Sequence, residues 1–209
     1  MIYKVENISA KKYTQELYER AFEVMPDHRK EKALRYAKEQ DKRHCVFSHL
    51  LLCHMLKEHF GIDSPEVYIS EKGKPCLSGD KVHFSISHSG DFIACAVDTT
   101  PVGIDIETPR DITGRVLRHC CNEEEIRYIT QDLISLPDLI PAHSEQASRF
   151  LSIWTAKEAY LKYTGEGLGG GLVSVSAVSE GKIVNQINQR TLTQVTEKGY
   201  TLSVISQSP

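Results

Sequence analysis

The sequence predicts an α+β fold, because helical and strand-like patterns both occur but do not alternate regularly. Apolar residues recur at helical spacing across residues 27–59 and again across residues 150–163. Between them, residues 82–86, 92–97 and 102–106 show the apolar alternation or the short apolar runs that are typical of strands. A doubly wound parallel sheet would place a helix between successive strands, whereas these three strands follow one another directly.

Glycine and proline mark the expected ends of these elements. Gly61 and Pro65 end the first helical segment, and Gly165 ends the second. Further glycines follow at positions 167 and 169–171, after which strand patterns return at residues 172–178 and 200–205.

Chain length and charge limit the possible classes of function. The 209 residues suffice for one large domain or two small ones, and 40% hydrophobic residues can form a sizeable core. The 25 Lys and Arg against 28 Asp and Glu give a formal net charge of −3, which argues against a nucleic-acid partner. No stretch reaches the roughly 20 apolar residues of a membrane span, so we expect no membrane partner.

The cysteines predict reduced thiols in a cytoplasmic protein. There are six, and they form neither a CxxC motif nor a regular disulfide framework. Cys120 and Cys121 are adjacent, so a vicinal redox pair is the alternative at that one position.

Residues 28–44 are basic although the chain as a whole is not. This segment contains seven Lys or Arg and three acidic residues, a local excess of 7 − 3 = 4 positive charges. Such a run is either a solvated helix face or a site that meets an anion.

The motif VGIDIE at residues 102–107 is compatible with a cation site, although so short a motif taken alone favours a pair of solvated acids. Asp105 and Glu107 are two residues apart, so on a strand both side chains project from one face. Like charges this close are destabilising unless a cation lies between them, and carboxylate oxygens suit Mg²⁺. The alternative is a pair of solvated acids on a half-exposed strand.

Two further motifs are weak when taken alone. In the segment WTAKEAYLK at residues 154–162, Glu158 and Lys162 share one helix face, which also describes a common surface ion pair. In the segment FSISHSGD at residues 84–91, a strand enters a turn rich in hydroxyls, which either binds phosphate or caps its own backbone.

Taken together and in this order, four segments resemble the 4′-phosphopantetheinyl transferases, and in particular their larger, surfactin-synthetase-activating branch. The segments are GKP at residues 73–75, FSISHS at 84–89, VGIDIE at 102–107 and WTAKEAYLK at 154–162. The resemblance implies two similar α+β halves in one chain, with the active site in the cleft between them. We place the boundary near residues 99–101, so that residues 1–100 form a coenzyme A-binding half and residues 101–209 a metal-binding, catalytic half. The chain would then be a monomer.

The resemblance also implies a reaction and its residues. The 4′-phosphopantetheine arm of coenzyme A would pass to a serine hydroxyl of an apo acyl or peptidyl carrier protein, and adenosine 3′,5′-bisphosphate would leave. Asp105, Glu107 and Glu158 would bind Mg²⁺, for which Mn²⁺ is a possible substitute. Glu158 would be the base, directly or through a water, and Lys162 would assist at the phosphate or the leaving group.

The cofactor-binding residues implied in the same way come from several segments. They are Arg29, Lys32, Arg43, His44, Lys74, Ser87, His88, Ser89 and Lys162. The family often has Arg where this chain has His44, with Arg43 one residue earlier, so either of the two is the candidate for the 3′-phosphate. Cys120 and Cys121 stand where relatives often have aromatic residues, whereas Asn122 and Glu125 keep the spacing of a helix N-cap and its partner.

Two other functions use the same residues. A non-catalytic relative would bind coenzyme A or a carrier protein without turnover, and a Mg²⁺-dependent phosphohydrolase would release phosphate without a carrier. Which carrier protein is the natural partner does not follow from the sequence.

Overall fold

The computed structural model of the chain describes residues 1–79, 81–131, 137–167 and 171–207. In these residues the helices are α1 (Gln15–Glu23), α2 (Asp27–Leu34), α3 (Glu39–Phe60), α4 (Gly114–Cys120), α5 (Glu123–Thr130) and α6 (Glu145–Thr164). The longer strands are β1 (Ile2–Asn7), β4 (His83–Ser89), β5 (Phe92–Asp98), β6 (Val102–Glu107), β12 (Arg190–Glu197) and β13 (Tyr200–Gln207). The short strands are β2 (Val67–Ile69), β3 (Pro75–Leu77), β7 (Ile112–Thr113), β8 (Leu139–Ile140), β9 (Val178–Ser179), β10 (Lys182–Ile183) and β11 (Gln186–Ile187). The mixture of helices with antiparallel strands confirms the α+β prediction.

Two antiparallel sheets organise the described residues. The first has the strand order β1-β5-β4, and α3 packs on it through a core that includes Phe47, Leu52 and Ile93. The second has the order β11-β12-β13-β6, and α6 covers it. Each sheet is therefore buried on one face by a long helix.

The two sheets meet where β4 lies beside β6. The hydroxyl of Ser85 on β4 accepts a hydrogen bond from the backbone N–H of Ile104 on β6, at 3.1 Å. The apolar side of β6, with Ile104 and Ile106, packs in one cluster with Ala94 and Ala96 of β5. One hydrophobic cluster therefore spans both sheets and fixes β6 between them.

Gly103 allows α6 to approach β6 very closely. A Cβ atom at this position would lie 2.0 Å from the carbonyl oxygen of Ala159 and 2.5 Å from the backbone nitrogen of Tyr163. Only glycine fits where the strand and the helix cross. This close approach brings Asp105 and Glu107, which lie on the same face of β6 as Gly103, next to α6.

Several predicted elements are confirmed, and two need correction. Strands at 82–86, 92–97, 102–106 and 200–205 and a helix over 150–163 are present, and Gly61 and Gly165 end helices in the left-handed conformation. The single helix predicted over residues 27–59 is instead α2 and α3, with Lys38 in an extended conformation between them. The two helices pack through a shared cluster that contains Ala33 and Val46, so tertiary packing overrides the local helical pattern.

The strand predicted over residues 172–178 is also wrong. Residues Leu172–Ser174 form a short 3-10 helix, and only Val178–Ser179 is a strand. Leu172, Val175 and Ala177 are buried because they pack in one cluster with residues of α4, α5 and α6, which explains the apolar pattern without a strand. Two of the glycines in the predicted cluster, at positions 169 and 170, lie outside the described residues.

All six cysteines are free thiols, including Cys120 and Cys121. No helix in the described ranges is both long enough and apolar enough to cross a membrane.

Candidate active site

Asp105 is a buried carboxylate at the junction of the two sheets. It is 5% exposed, which excludes the alternative of solvated acids on a half-exposed strand. Its Oδ1 accepts hydrogen bonds from the hydroxyl of Ser87, at 2.7 Å, and from the amine of Lys162, also at 2.7 Å. Its Oδ2 is buried and has no hydrogen-bond partner. One oxygen of this carboxylate is therefore satisfied and the other is available to a ligand.

Glu107 lies two residues further along β6 and is held by three neighbours. The hydroxyl of Ser89 donates to Oε2 at 2.9 Å, and the indole N–H of Trp154 donates to Oε1 at 3.1 Å. Arg110 lies 3.7 Å from Oε2, and its guanidinium stacks over the Trp154 ring. Burial and the neighbouring Asp105 raise the pKa of Glu107, while these donors oppose the shift.

Glu158 faces these two acids from α6. Its Oε1 is buried and has no hydrogen-bond partner. Burial raises the pKa of Glu158 to about 7, and repulsion from Asp105 and Glu107 adds to the shift, while Lys162 opposes it. The spacing of Glu158 and Lys162 was compatible with a surface ion pair, but the Lys162 amine reaches across to Asp105 instead.

These carboxylates have the donor chemistry of a divalent-cation site. Asp105 and Glu158 each have a buried oxygen without a partner, and the three acids repel one another. A cation would bind these oxygens and reduce the repulsion. Among the residues that the structure describes, no group of three or more His, Cys, Asp and Glu side chains is arranged closely enough to hold a metal ion. The carboxylates are therefore the right type of ligand for such an ion. In this structure the positive charge next to Asp105 is the amine of Lys162.

A cavity of about 310 Å³ adjoins this cluster. Its wall contains two basic residues of α2 and Tyr36 of the following turn. The inward face of α3, the loop before β3, strand β4 and the C-terminal end of α6 complete it. Predicted site residues in this wall are Arg29, Lys32, His44, Lys74, His88 and Lys162. Three polar atoms of its lining residues are buried without a partner, namely Nε of Arg29, Nδ1 of His44 and Oγ of Ser48. Since buried polar atoms are normally paired, they indicate that the cavity receives a polar ligand.

Lys74 connects the loop before β3 to the end of α6. Its amine donates to the carbonyl oxygens of Tyr163, at 3.0 Å, and Val102, at 3.3 Å. Burial lowers the pKa of this amine. The carbonyls at the end of a helix favour a positive charge, so Lys74 holds the cavity wall together as well as lining it.

His44 and His88 stack against each other in the cavity wall. Their ring centroids are 4.4 Å apart and the rings are nearly parallel, at 16°. The His44 residue is buried, whereas His88 is partly exposed to solvent. Desolvation, together with the nearby His44 and Lys162, lowers the pKa of His88.

The structure does not bring every predicted cofactor residue to the cavity. Arg43 points away, because its guanidinium donates to the carbonyl oxygens of Ile8 and Tyr13 and lies over the ring of Phe47. Of the two neighbouring candidates, His44 is the one that faces the cavity.

Two of the predicted serines have a different environment from the one expected. Ser87 and Ser89 alternate with His88 along β4, so their hydroxyls face the carboxylates of β6 rather than the cavity. They orient Asp105 and Glu107, while His88 lies on the side of the cavity.

Comparison with known proteins assigns the chain to a family. The sequence model of the 4′-phosphopantetheinyl transferase superfamily matches residues 101–205, and that of the 4′-phosphopantetheinyl transferase N-terminal region matches residues 12–100. The chain belongs to the 4′-phosphopantetheinyl transferase superfamily. Residues 101–205 hold all three acids and Lys162, and residues 12–100 hold most of the cavity lining.

Three curated members of this superfamily show the extent of the similarity. The chain is 30% identical over 166 residues to 4′-phosphopantetheinyl transferase Sfp of Bacillus subtilis, covering 78% of this chain and 70% of that protein. It is 33% identical over 140 residues to psf-1 of Bacillus pumilus, covering 66% and 56% of the two chains. It is 26% identical over 207 residues to ffp of Bacillus subtilis, covering 94% and 88%.

In this member of the superfamily, Lys157 beside Glu158 stabilises the fold, a role that the sequence analysis did not predict. Lys157 is fully buried, and its amine donates to Oε2 of Glu125, at 2.5 Å, and to the carbonyl oxygens of Cys120 and Leu172, at 2.8 and 2.9 Å. Glu125 also completes the predicted capping box with Asn122. The only sequence signal was its position beside Glu158, which places the two side chains on different sides of α6.

Proposed function

We propose that this chain transfers the 4′-phosphopantetheine arm of coenzyme A to a serine hydroxyl of an apo carrier protein and releases adenosine 3′,5′-bisphosphate. The observation that carries the proposal is the cluster of Asp105, Glu158 and Lys162 beside a cavity with unpartnered polar atoms. Membership in the transferase superfamily supports the same reaction class.

The chemistry needs one bond to form and one to break. The carrier serine oxygen attacks the phosphorus that bears the pantetheine arm, and the bond from this phosphorus to the bridging pyrophosphate oxygen breaks. The serine proton passes to a base, and the nucleotide bisphosphate leaves with the bridging oxygen. Such reactions depend mainly on positioning and charge stabilisation, which a few acids and cations supply.

Asp105, Glu107 and Glu158 are the residues that would hold Mg²⁺, or Mn²⁺ in its place. When bound, the cation would neutralise the pyrophosphate and polarise the phosphorus under attack. Asp105 and Glu158 each offer an unpartnered buried oxygen, whereas Glu107 is already held by Ser89 and Trp154.

Glu158 is the proposed base for the carrier serine, directly or through one water. In the metal-free protein the pKa of Glu158 is raised to about 7, which suits a base near neutral pH. A cation held by the same carboxylate would lower this pKa, which favours the route through a water. Lys162, on the same helix face, offers a positive charge next to Asp105 for the phosphate oxygens or for the departing group.

The cavity also suits the nucleotide of coenzyme A. Arg29, Lys32, His44 and His88 are the proposed contacts of its 3′-phosphate, and Lys74 and Lys162 line the same wall. Two halves of the chain contribute to this cavity, which supports a cleft between the halves 1–100 and 101–209 and a monomeric enzyme. A monomer mass in light scattering is expected, and an obligate trimer would contradict this arrangement.

Product analysis tests the reaction class. With coenzyme A, Mg²⁺ and an apo carrier, adenosine 3′,5′-bisphosphate should form only when the carrier is present. Release of inorganic phosphate from coenzyme A without any carrier would contradict the proposal and indicate a phosphohydrolase. Coenzyme A binding without turnover on any acyl or peptidyl carrier would indicate a non-catalytic relative.

Changing Trp154 to Phe should weaken Mg²⁺ binding without removing a carboxylate. The substitution keeps an aromatic ring near Arg110 but deletes the N–H that donates to Glu107. Loss of such an orienting hydrogen bond costs about 10–100-fold in metal affinity or activity. We expect the Mg²⁺ concentration for half-maximal rate to rise by about that factor, and an unchanged Mg²⁺ dependence would show that Trp154 does not orient Glu107.

A further inference from the structure

We infer that the His44–His88 stack takes up one proton when the 3′-phosphate of coenzyme A binds, so that His44 makes the enzyme selective for the phosphorylated ligand. This inference rests on the proposed function, because it assigns a role to residues of the same cavity. It concerns His44 in particular, the buried partner of the stack.

Hydrogen bonding fixes the form of the neutral His44 ring. Its Nε2 lies 2.8 Å from the carbonyl oxygen of Gly90, which can only accept, so Nε2 carries the hydrogen. In the neutral ring Nδ1 is therefore a bare lone pair. This atom is buried and has no hydrogen-bond partner, although its residue lines the cavity. Only the protonated ring has an N–H at Nδ1 to donate to a phosphate oxygen.

Charged groups of both signs lie around the His44–His88 stack. On its own helix Asp41 lies 4.0 Å from Nδ1 and favours the charged ring. The positive groups in the same cavity wall come from α2, the loop before β3 and α6; they are Arg29, Lys32, Lys72, Lys74 and Lys162. Lys32 and Lys162 oppose a positive charge on the stacked ring of His88. Two stacked imidazoles are unfavourable when both are charged, so the stack holds one proton at most.

A doubly negative phosphate changes this balance. It neutralises the surrounding cations and accepts a hydrogen bond from Nδ1, so it favours the protonated stack. Binding of a phosphate monoester is therefore coupled to proton uptake, and its affinity falls as the pH rises above the titration range of histidine. A ligand without this phosphate gains nothing from the proton.

Calorimetry in two buffers of different ionisation enthalpy measures the coupling directly. At pH 8, coenzyme A binding to the wild-type chain should take up about one proton, and binding of 3′-dephospho-coenzyme A should take up almost none. The preference for coenzyme A over the dephospho ligand should fall by up to about tenfold per pH unit above pH 7.

Three variants assign the proton to the stack. His44→Arg carries a permanent charge, so it should bind coenzyme A with no proton uptake and little pH dependence. His44→Gln keeps a donor for Gly90 and should bind more weakly, also without uptake. His54→Gln alters an exposed histidine of the same helix, paired with Glu58, and should behave as wild type.

The outcomes separate this inference from the proposed function. Coenzyme A binding without proton uptake in the wild type, equal uptake with the dephospho ligand, or full uptake in His44→Arg would each overturn the inference and leave the transferase proposal intact. Failure of the wild-type chain to bind coenzyme A at all would overturn the proposed function itself.

Discussion

Replacing Glu158 with Gln should abolish transfer and, at the same time, stabilise the metal-free protein at pH 8. The loss of the base, and of one of the three acids proposed to hold the cation, should lower kcat by about 10²–10⁴-fold or more. The gain in stability follows from the raised pKa of Glu158, about 7, since its ordinary value is 4.5. This raised pKa means that the folded protein holds the glutamate proton more tightly than the unfolded chain does.

The sign of the pH dependence follows from that difference. The stability contributed by neutral Glu158 is complete below about pH 4.5 and is lost as the pH rises through about 7. A shift of this size corresponds to at most about 3 kcal/mol, and solvent that reaches the half-buried carboxylate reduces it to about 1 kcal/mol. Glu158→Gln removes this loss, so the variant should be more stable than wild type at pH 8 and equal to it at pH 4.5.

Chemical denaturation in the presence of a chelator, at several pH values, measures this effect. Glu166→Gln is the matched control, because Glu166 is exposed just beyond the end of the same helix, and it should change neither stability nor turnover. Wild-type turnover in Glu158→Gln, or a loss of stability at pH 8, would contradict the role of Glu158 as a strained acid at the reacting centre.

Replacing Lys157 with Met should lower the free energy of unfolding by about 3–5 kcal/mol. The substitution leaves Glu125, which is 0% exposed, as a buried charge without its cation. It also frees the carbonyl oxygens of Cys120 and Leu172, which anchor the end of α4 and the 3-10 helix to α6. Activity should fall with stability, because the backbone around Glu158 loses this anchor.

A double variant distinguishes the buried charge from simple loss of packing. Glu125→Gln combined with Lys157→Met removes both charges and should recover part of the lost stability. Arg127→Met, which breaks an exposed ion pair with Glu123 on the same helix as Glu125, should cost less than about 1 kcal/mol. If the double variant is less stable than Lys157→Met alone, the unpaired charge is not the source of the loss.

The sequence predicted the strands and helix ends because their signals are local. The alternation around Ile104, the left-handed glycines at positions 61 and 165, and the capping box at Asn122 depend on neighbours only a few residues away. The break between α2 and α3 has no such signal, because it arises from packing between distant residues.

The candidate site shows the same division. The motifs identified Asp105, Glu107, Glu158 and Lys162, and all four lie near one another, with Lys162 also lining the cavity. The Ser87 and Ser89 hydroxyls bind the acids of β6 because β4 lies beside β6. The sequence of β4 alone does not show which strand will be its neighbour. The burial of Lys157 was equally hidden, because a lysine on a helix is ordinarily exposed.

The mass of a carrier protein shows directly whether this chain transfers phosphopantetheine. An apo carrier incubated with this chain, coenzyme A and Mg²⁺ should gain the mass of one phosphopantetheine group, attached at a serine, and Glu158→Gln should give no gain. The experiment should include both acyl and peptidyl carriers. No mass gain on any of them with a wild-type chain that binds coenzyme A, or an equal gain with Glu158→Gln, would contradict the account.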